Sequence, residues 1–126
     1  IVLANKCDSE EEETIFKLFE EEMGGNFLCL PVSAEFGRGL EELKETIFRE
    51  LDIVRIYTKE PGKPPDKKTP FVLKRGSDLM DLARQVHKDF ADNLKYARIW
   101  GEGKYDGQKV QRDHELRDGD IVELHI

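Results

Sequence analysis

No run of apolar residues in this 126-residue chain approaches the ~20 that a membrane-spanning helix requires. A secretory signal is equally missing from the opening segment. Cysteine is scarce. Cys7 and Cys29 both sit in apolar, strand-like surroundings, which predicts buried, reduced thiols in a cytoplasmic protein over a disulfide or a metal pair. His87, His114 and His125 show no HxxxH spacing, so no metal site is expected. Neither a Ser/His/Asp nor a Cys/His constellation is evident, and no repeats are present, so the chain is not read as an autonomous enzyme. A single-signed charge is lacking too, because the net −7 divides unevenly. Residues 1–51 carry 5 Lys+Arg against 13 Asp+Glu, while residues 52–126 carry 15 against 14. The acidic part argues against nucleic-acid binding there, and the balanced part leaves it open. Ile1 opens inside an apolar run, as expected of an excerpt from a longer protein.

What is present begins with one amphipathic helix. Over Ser77–Asn93, Leu79, Leu82, Ala83, Val86 and Phe90 recur at helical spacing, with Asp78, Asp81, Lys88, Asp89 and Asp92 on the remaining surface. Strand-like runs precede it at Ile53–Lys59 and Pro70–Lys74 and follow it at Tyr96–Trp100, Gln108–Val110 and Ile121–Ile126. One helix across a small sheet in the order ββαββ predicts an α+β, β-grasp (ubiquitin-like) fold, whose inner sheet face buries the helix stripe.

The first fifty residues follow another pattern. Ile1–Ala4 predicts the end of a buried strand, leading into Asn5-Lys6-Cys7-Asp8. Ser9 with Glu12 predicts a capping box, and Glu10–Glu13 lie at the positive end of the helix dipole. Ile15, Leu18, Phe19 and Met23 form the expected buried stripe, and Gly24-Gly25 ends the helix. A second strand, Phe27–Val32, runs into Ser33-Ala34, and a second helix from Leu40 turns Leu43, Ile47 and Leu51 inward. Strand–helix–strand–helix is the order of an open parallel sheet, and ligands bind at the carboxyl ends of such strands.

Those carboxyl ends hold Asn5-Lys6-x-Asp8 and Pro31-Val32-Ser33-Ala34, the latter leading into Gly37-x-Gly39-Leu40-x-x-Leu43. Alone, the first motif is equally a turn with a helix cap. Together they resemble the two guanine-reading motifs of the GTPase G domain. The resemblance implies that Asp8 accepts two parallel hydrogen bonds from the N1–H and amine edge of guanine, a donor pair adenine lacks. It also implies that the Lys6 stem lies along the base, Asn5 ties neighbouring loops, Ser33 holds its loop and the Ala34 N–H reaches the guanine carbonyl. GxxxxGK[ST], a switch threonine and DxxG are missing. GTP or GDP, with Mg²⁺, is therefore expected in a full-length parent, with no cofactor bound to this chain and no hydrolysis by it.

From the hinge at Leu51-Asp52, Leu51–Lys59 is similar to the start of the TGS domain in the DRG branch of Obg-related GTPases. The similarity continues through Pro61–Asp66, Thr69–Leu73, His87, Lys95–Gly101, Gly107–Val110 and His114–Glu123. It departs in the link Lys74–Ser77, tighter than in eukaryotic members. The implied organisation is the end of a P-loop GTPase α/β domain (1–51, β-α-β-α) followed by a β-grasp TGS domain (52–126). The implied role is that of a translation-linked GTP-binding protein whose TGS module contacts RNA, the ribosome or a regulatory protein. A pure protein-interaction module is the alternative.

Strand alternation places Arg55, Tyr57 and Lys59 opposite Val54 and Ile56, and Tyr96, Arg98 and Trp100 opposite Ala97 and Ile99. If the aliphatic set faces the helix, the six others form a face able to stack bases and hold phosphates. The other option turns Tyr96 and Trp100 inward as core. Gly62-Lys63-Pro64-Pro65 with Lys67 and Lys68 is either a contact loop or a solvated connection, and His87 is expected to be packed or hydrogen-bonded. The strands ending at Ala4 and Val32 must stay exposed, pack elsewhere or pair with another copy, which predicts self-association.

Overall fold

A computed structural model describes residues 1–126, which form two compact units, Ile1–Leu51 and Asp52–Ile126. In the first unit β1 (Val2–Ala4) and β2 (Cys29–Pro31) pair in parallel, with Leu3 opposite Leu30. Between them runs α1 (Glu10–Glu22), and after them α2 (Leu40–Leu51). Cys7, Phe16 and Cys29 make the small core, with Val2, Ala4 and Met23 against it, and both thiols are free.

The buried stripes expected of these helices are corrected by the structure. Ile15 and Leu18 are about three-fifths exposed and Phe19 is exposed, while Phe16 is the residue α1 buries. In α2, Ile47 and Leu51 are exposed, Leu43 is half-buried, and Thr46 takes the buried position. A sheet two strands wide and three residues long has too little area to cover a full apolar stripe. Phe27 and Leu28 are likewise exposed ahead of the short β2. Ser9 is the N-cap residue, but its hydroxyl donates to the Glu12 carboxylate and caps no backbone N–H, so the expected capping box is absent.

The second unit is a five-stranded sheet made of β3 (Ile53–Thr58), β4 (Asp66–Lys74), β5 (Tyr96–Trp100), β6 (Gln108–Val110) and β7 (Ile121–His125). Their order is β4-β3-β7-β5-β6, with β3 and β7 parallel at the centre and the other pairs antiparallel. That is the β-grasp arrangement. Val54, Ile56, Ala97, Ile99 and Val122 line its inner face and meet Leu79, Leu82 and Ala83 in one core.

The single helix expected over Ser77–Asn93 is two helices, α3 (Leu79–Val86) and α4 (Lys88–Asn93). Asp78 caps α3 through a reciprocal box with Asp81. The break falls at His87, whose extended backbone (φ −170°, ψ 148°) ends α3 while its Nδ1 accepts the Asp89 N–H to start α4. A side-chain acceptor there competes for the N–H that would have continued the helix. Phe90 still packs on the core after the break. The tight link is a turn in which the Ser77 N–H bonds to Lys74 O, with Gly76 at φ +87°. No helix in the chain is long and apolar enough to cross a membrane.

Candidate functional site

In the first unit, parallel pairing sets the loops after β1 and β2 side by side. Main-chain bonds from Val32 N–H to Ala4 O and from Cys7 N–H to Val32 O hold them there. The Ser33 hydroxyl then donates to Asp8 Oδ1 at 2.6 Å, across 25 residues of sequence. Ser33 is fully buried, its N–H bonds to Arg38 O, and its Oγ accepts the Phe36 N–H, so the loop is fixed on Asp8. Gly39 (φ +74°) closes it where a Cβ would overlap Pro31 O. Asp8 is half-buried and keeps Oδ2 without a partner in the chain.

Asn5 and Lys6 are exposed beside it. Lys6 holds φ +66°, in the left-handed region that few non-glycine residues adopt. The Ala34 N–H is donated to Asn5 Oδ1 at 3.2 Å, so Asn5 joins the two loops and occupies the donor that the resemblance gives to guanine. All five residues named from the sequence thus lie in one loop pair, with a carboxylate oxygen and a lysine stem open to a ligand. Those groups suit the base end of a guanine nucleotide.

In the second unit the sheet register settles which way the six face residues point. Val54, Ile56, Ala97 and Ile99 are buried within, Arg55 and Arg98 are exposed, and Tyr57, Lys59, Tyr96 and Trp100 are half-buried on the outer face. Cross-strand pairing adds His125 opposite Tyr96, Glu123 opposite Arg98, Ile121 opposite Trp100, and Lys109 on the other side of Arg98.

This face is largely self-satisfied. Tyr96 stacks on His125 (centroids 4.6 Å apart, 11° between planes), and the Lys109 ammonium lies 4.1 Å from the Tyr96 ring centre. Lys59 Nζ lies 4.6 Å from the centre of the Trp100 ring, and a Cβ on Gly107 would come within 3.3 Å of the same indole. Lys59 also pairs with Glu123 at 3.1 Å, and His125 Nε2 meets the other Glu123 oxygen at 2.6 Å. Desolvation of Glu123 opposes its ionisation, but the bonds from Lys59 and His125 outweigh it and hold the carboxyl below its usual range. The Asp118 carboxylate accepts the Arg55 backbone N–H at 2.7 Å and both ends of the guanidinium, which raises Arg55 and, against desolvation, lowers Asp118. Among the cations of this face, Arg55, Lys59 and Lys109 have an ion pair or a ring partner, and Arg98 has neither.

Several groups escaped sequence reasoning. Asp120, in what reads as a simple turn, is 1% exposed, pairs with Lys104 at 2.9 Å and accepts the Arg117 N–H at 2.9 Å. Gly101 is required there because a Cβ would overlap Asp120 Oδ1. His87, expected to be packed or hydrogen-bonded, is exposed and hydrogen-bonded. A 380 Å³ groove runs beside the Pro-rich loop, floored by Val86, Phe90, Val122 and Leu124. Within its rim Lys63 pairs with Glu60, so that part of the loop is engaged locally.

Comparison with known proteins adds identity to this geometry. The TGS domain model matches residues 54–126. The whole chain is 40% identical to an uncharacterized GTP-binding protein of Methanocaldococcus jannaschii, covering 32% of that relative. Over 98% of its length it is 35% identical to developmentally-regulated GTP-binding protein 1 of Xenopus laevis, covering 33% of it. The chain therefore spans about a third of the length of the curated relatives it matches. A GTP binding protein from Pyrococcus horikoshii superposes over 98% of this chain and 44% of that one, with a TM-score of 0.69 at 23% identity. The YchF GTPase of Schizosaccharomyces pombe covers 99% of this chain and 43% of its own, with a TM-score of 0.70 at 16% identity. At those identities the structural likeness speaks to the fold. Its curated relatives are GTP-binding proteins, a developmentally-regulated one among them, and from the β-grasp strand order and the match over 54–126 the chain belongs to the TGS domain family.

Proposed function

We propose that this chain is the guanine-reading and docking region of a translation-linked GTP-binding protein of the cytoplasm, acting as part of a longer GTPase. The observation that carries the reading is the Ser33–Asp8 hydrogen bond, which orients a carboxylate with one oxygen unpartnered at the carboxyl ends of two parallel strands. Asp8 would accept the N1–H and amine of guanine, and the Lys6 stem would cover the base. Ala34 would exchange Asn5 Oδ1 for the guanine carbonyl. GTP or GDP, with its Mg²⁺, supplies the phosphate chemistry when bound, and phosphate contacts belong to elements outside residues 1–51.

The test is nucleotide binding by the full-length protein with Asp8→Asn beside the wild type. The expected result is guanine selectivity in the wild type and a shift toward xanthine nucleotides in the variant. Binding of guanine nucleotides by neither protein would sink the reading.

For residues 52–126 we propose single-stranded RNA, as found on ribosomes, as the partner. Support comes from Arg98 and Lys109, adjacent on the outer face and without carboxylate partners. With these two cations, log K should fall with log salt at a slope of about −1.4, since each phosphate contact on a single strand contributes about −0.7. A flat salt response would favour the alternative of a protein partner, because an apolar interface releases no counterions.

A further inference from the structure

The rings expected to stack on bases, Tyr96 and Trp100, already have chain groups against them: His125 and Lys109 at the first, Lys59 and Gly107 at the second. A base could reach them only by displacing those groups. Among the large hydrophobic side chains exposed in the second unit, one is aromatic, Tyr105, at 84% exposure. It stands at the tip of the β5–β6 hairpin, beyond Gly107 and Lys109.

The hairpin beneath Tyr105 is firmly mounted. Its N–H bonds to Gln108 Oε1 at 3.4 Å, and its carbonyl accepts the Gln108 N–H at 3.0 Å. The preceding residue, Lys104, turns inward and is anchored on the buried Asp120, where Gly101 leaves the room. A solvated loop has no need of an ion pair with side chains only 8% and 1% exposed. Such a mount presents a ring with its backbone already ordered, so a partner stacking on it forfeits less conformational entropy.

We propose that Tyr105 is the base-stacking residue of the second unit, with phosphates of the same strand held by Arg98 and Lys109. This rests on the RNA reading above and assigns the stacking role to a residue outside the original face. Glu102 and Asp106 flank the tip and repel phosphate. They therefore favour a base at Tyr105 and backbone contacts farther along the sheet.

The probes are an oligouridine decamer and the same decamer with abasic sites, titrated against the full 126-residue chain. Tyr105→Ala should weaken the decamer on the order of tenfold to a hundredfold, the loss typical of removing one aromatic platform. Tyr105→Phe should bind like wild type, and the abasic strand should bind wild type and Tyr105→Ala alike. An unchanged urea midpoint, followed by Trp100 fluorescence, would show that Tyr105→Ala folds. Equal decamer binding by wild type and Tyr105→Ala overturns the assignment while leaving the RNA reading intact. So does an equal loss on the abasic strand. Failure of wild type to bind the decamer at low salt overturns both.

Discussion

The two units place apolar residues at the same helical spacing and obtain opposite burial from it. In α3, Leu79, Leu82 and Ala83 are all 0% exposed. In α1, Ile15 and Leu18 sit at 60% and 61%. The difference lies in the opposing surface: five strands present a full inner face to α3, while two three-residue strands present a strip to α1. Amphipathic periodicity states what a helix can bury, and the partner surface decides what it does bury. Helical stability in proteins comes mainly from that packing.

The sharpest way to break this comparison is to truncate one leucine in each unit. Leu82→Ala removes a fully buried side chain and should cost about 2–5 kcal/mol, the usual range for a core cavity. Leu18→Ala removes a mostly exposed one and should stay within about 0.5 kcal/mol. Trp100, the sole tryptophan, reports on the second unit, and amide exchange of α1 reports on the first. A large loss of α1 protection in Leu18→Ala would mean that the exposed stripe is covered in solution.

This contrast also explains what the sequence disclosed. The β-grasp unit was legible because each apolar period has its complement within the same 75 residues. Its helix break was not, because Val86 and Phe90 keep an i, i+4 relation across His87 and periodicity passes over it. The Asp8–Ser33 site could be named because Asn5-Lys6-x-Asp8 and Ser33-Ala34, each following an apolar strand, resemble the two guanine-reading motifs of G domains, although the resemblance did not reveal that Asn5 takes the Ala34 N–H. Alternation put Tyr96 and Trp100 on the face opposite Ala97 and Ile99 but left open which of the two faces is the outer one, and it carried no information about Lys59, Lys109 and His125 covering them. Glu123 was invisible for a related reason: a carboxylate on a strand reads as solvated until its partners are known. Tyr105, in a loop without period, gave no signal at all.

A smaller effect in the second unit is read by pH. The folded-state pKa of Glu123 lies below its usual 4.5, and Asp118 is displaced in the same direction. Above the unfolded value both carboxylates stabilise the fold. As pH falls, the unfolded chain takes up these protons first, and the contribution fades through the depressed folded values. Glu123→Gln should cost about 1–3 kcal/mol at neutral pH, where it loses charge-assisted bonds to Lys59 and His125. It should also flatten the acid limb of the urea midpoint followed by Trp100. An acid limb as steep as that of wild type would remove Glu123 from the account.

The smallest expected effect concerns the open edge of the first unit. β1 pairs only with β2, and Leu3 stands 47% exposed beside a 330 Å³ groove lined by Val2, Ala4, Ile15, Phe16 and Phe19. An unpaired strand edge with apolar flanks is a template for another strand, so two copies of the chain should associate weakly through it. Sedimentation velocity should show a mass that rises with concentration, and Leu3→Lys should return it to the monomer by placing a charge on that edge. A monomer at every concentration would mean that three residues of open edge are too short to recruit a partner strand. The exposed stripe of α1 would then be a solvated surface and not an interface.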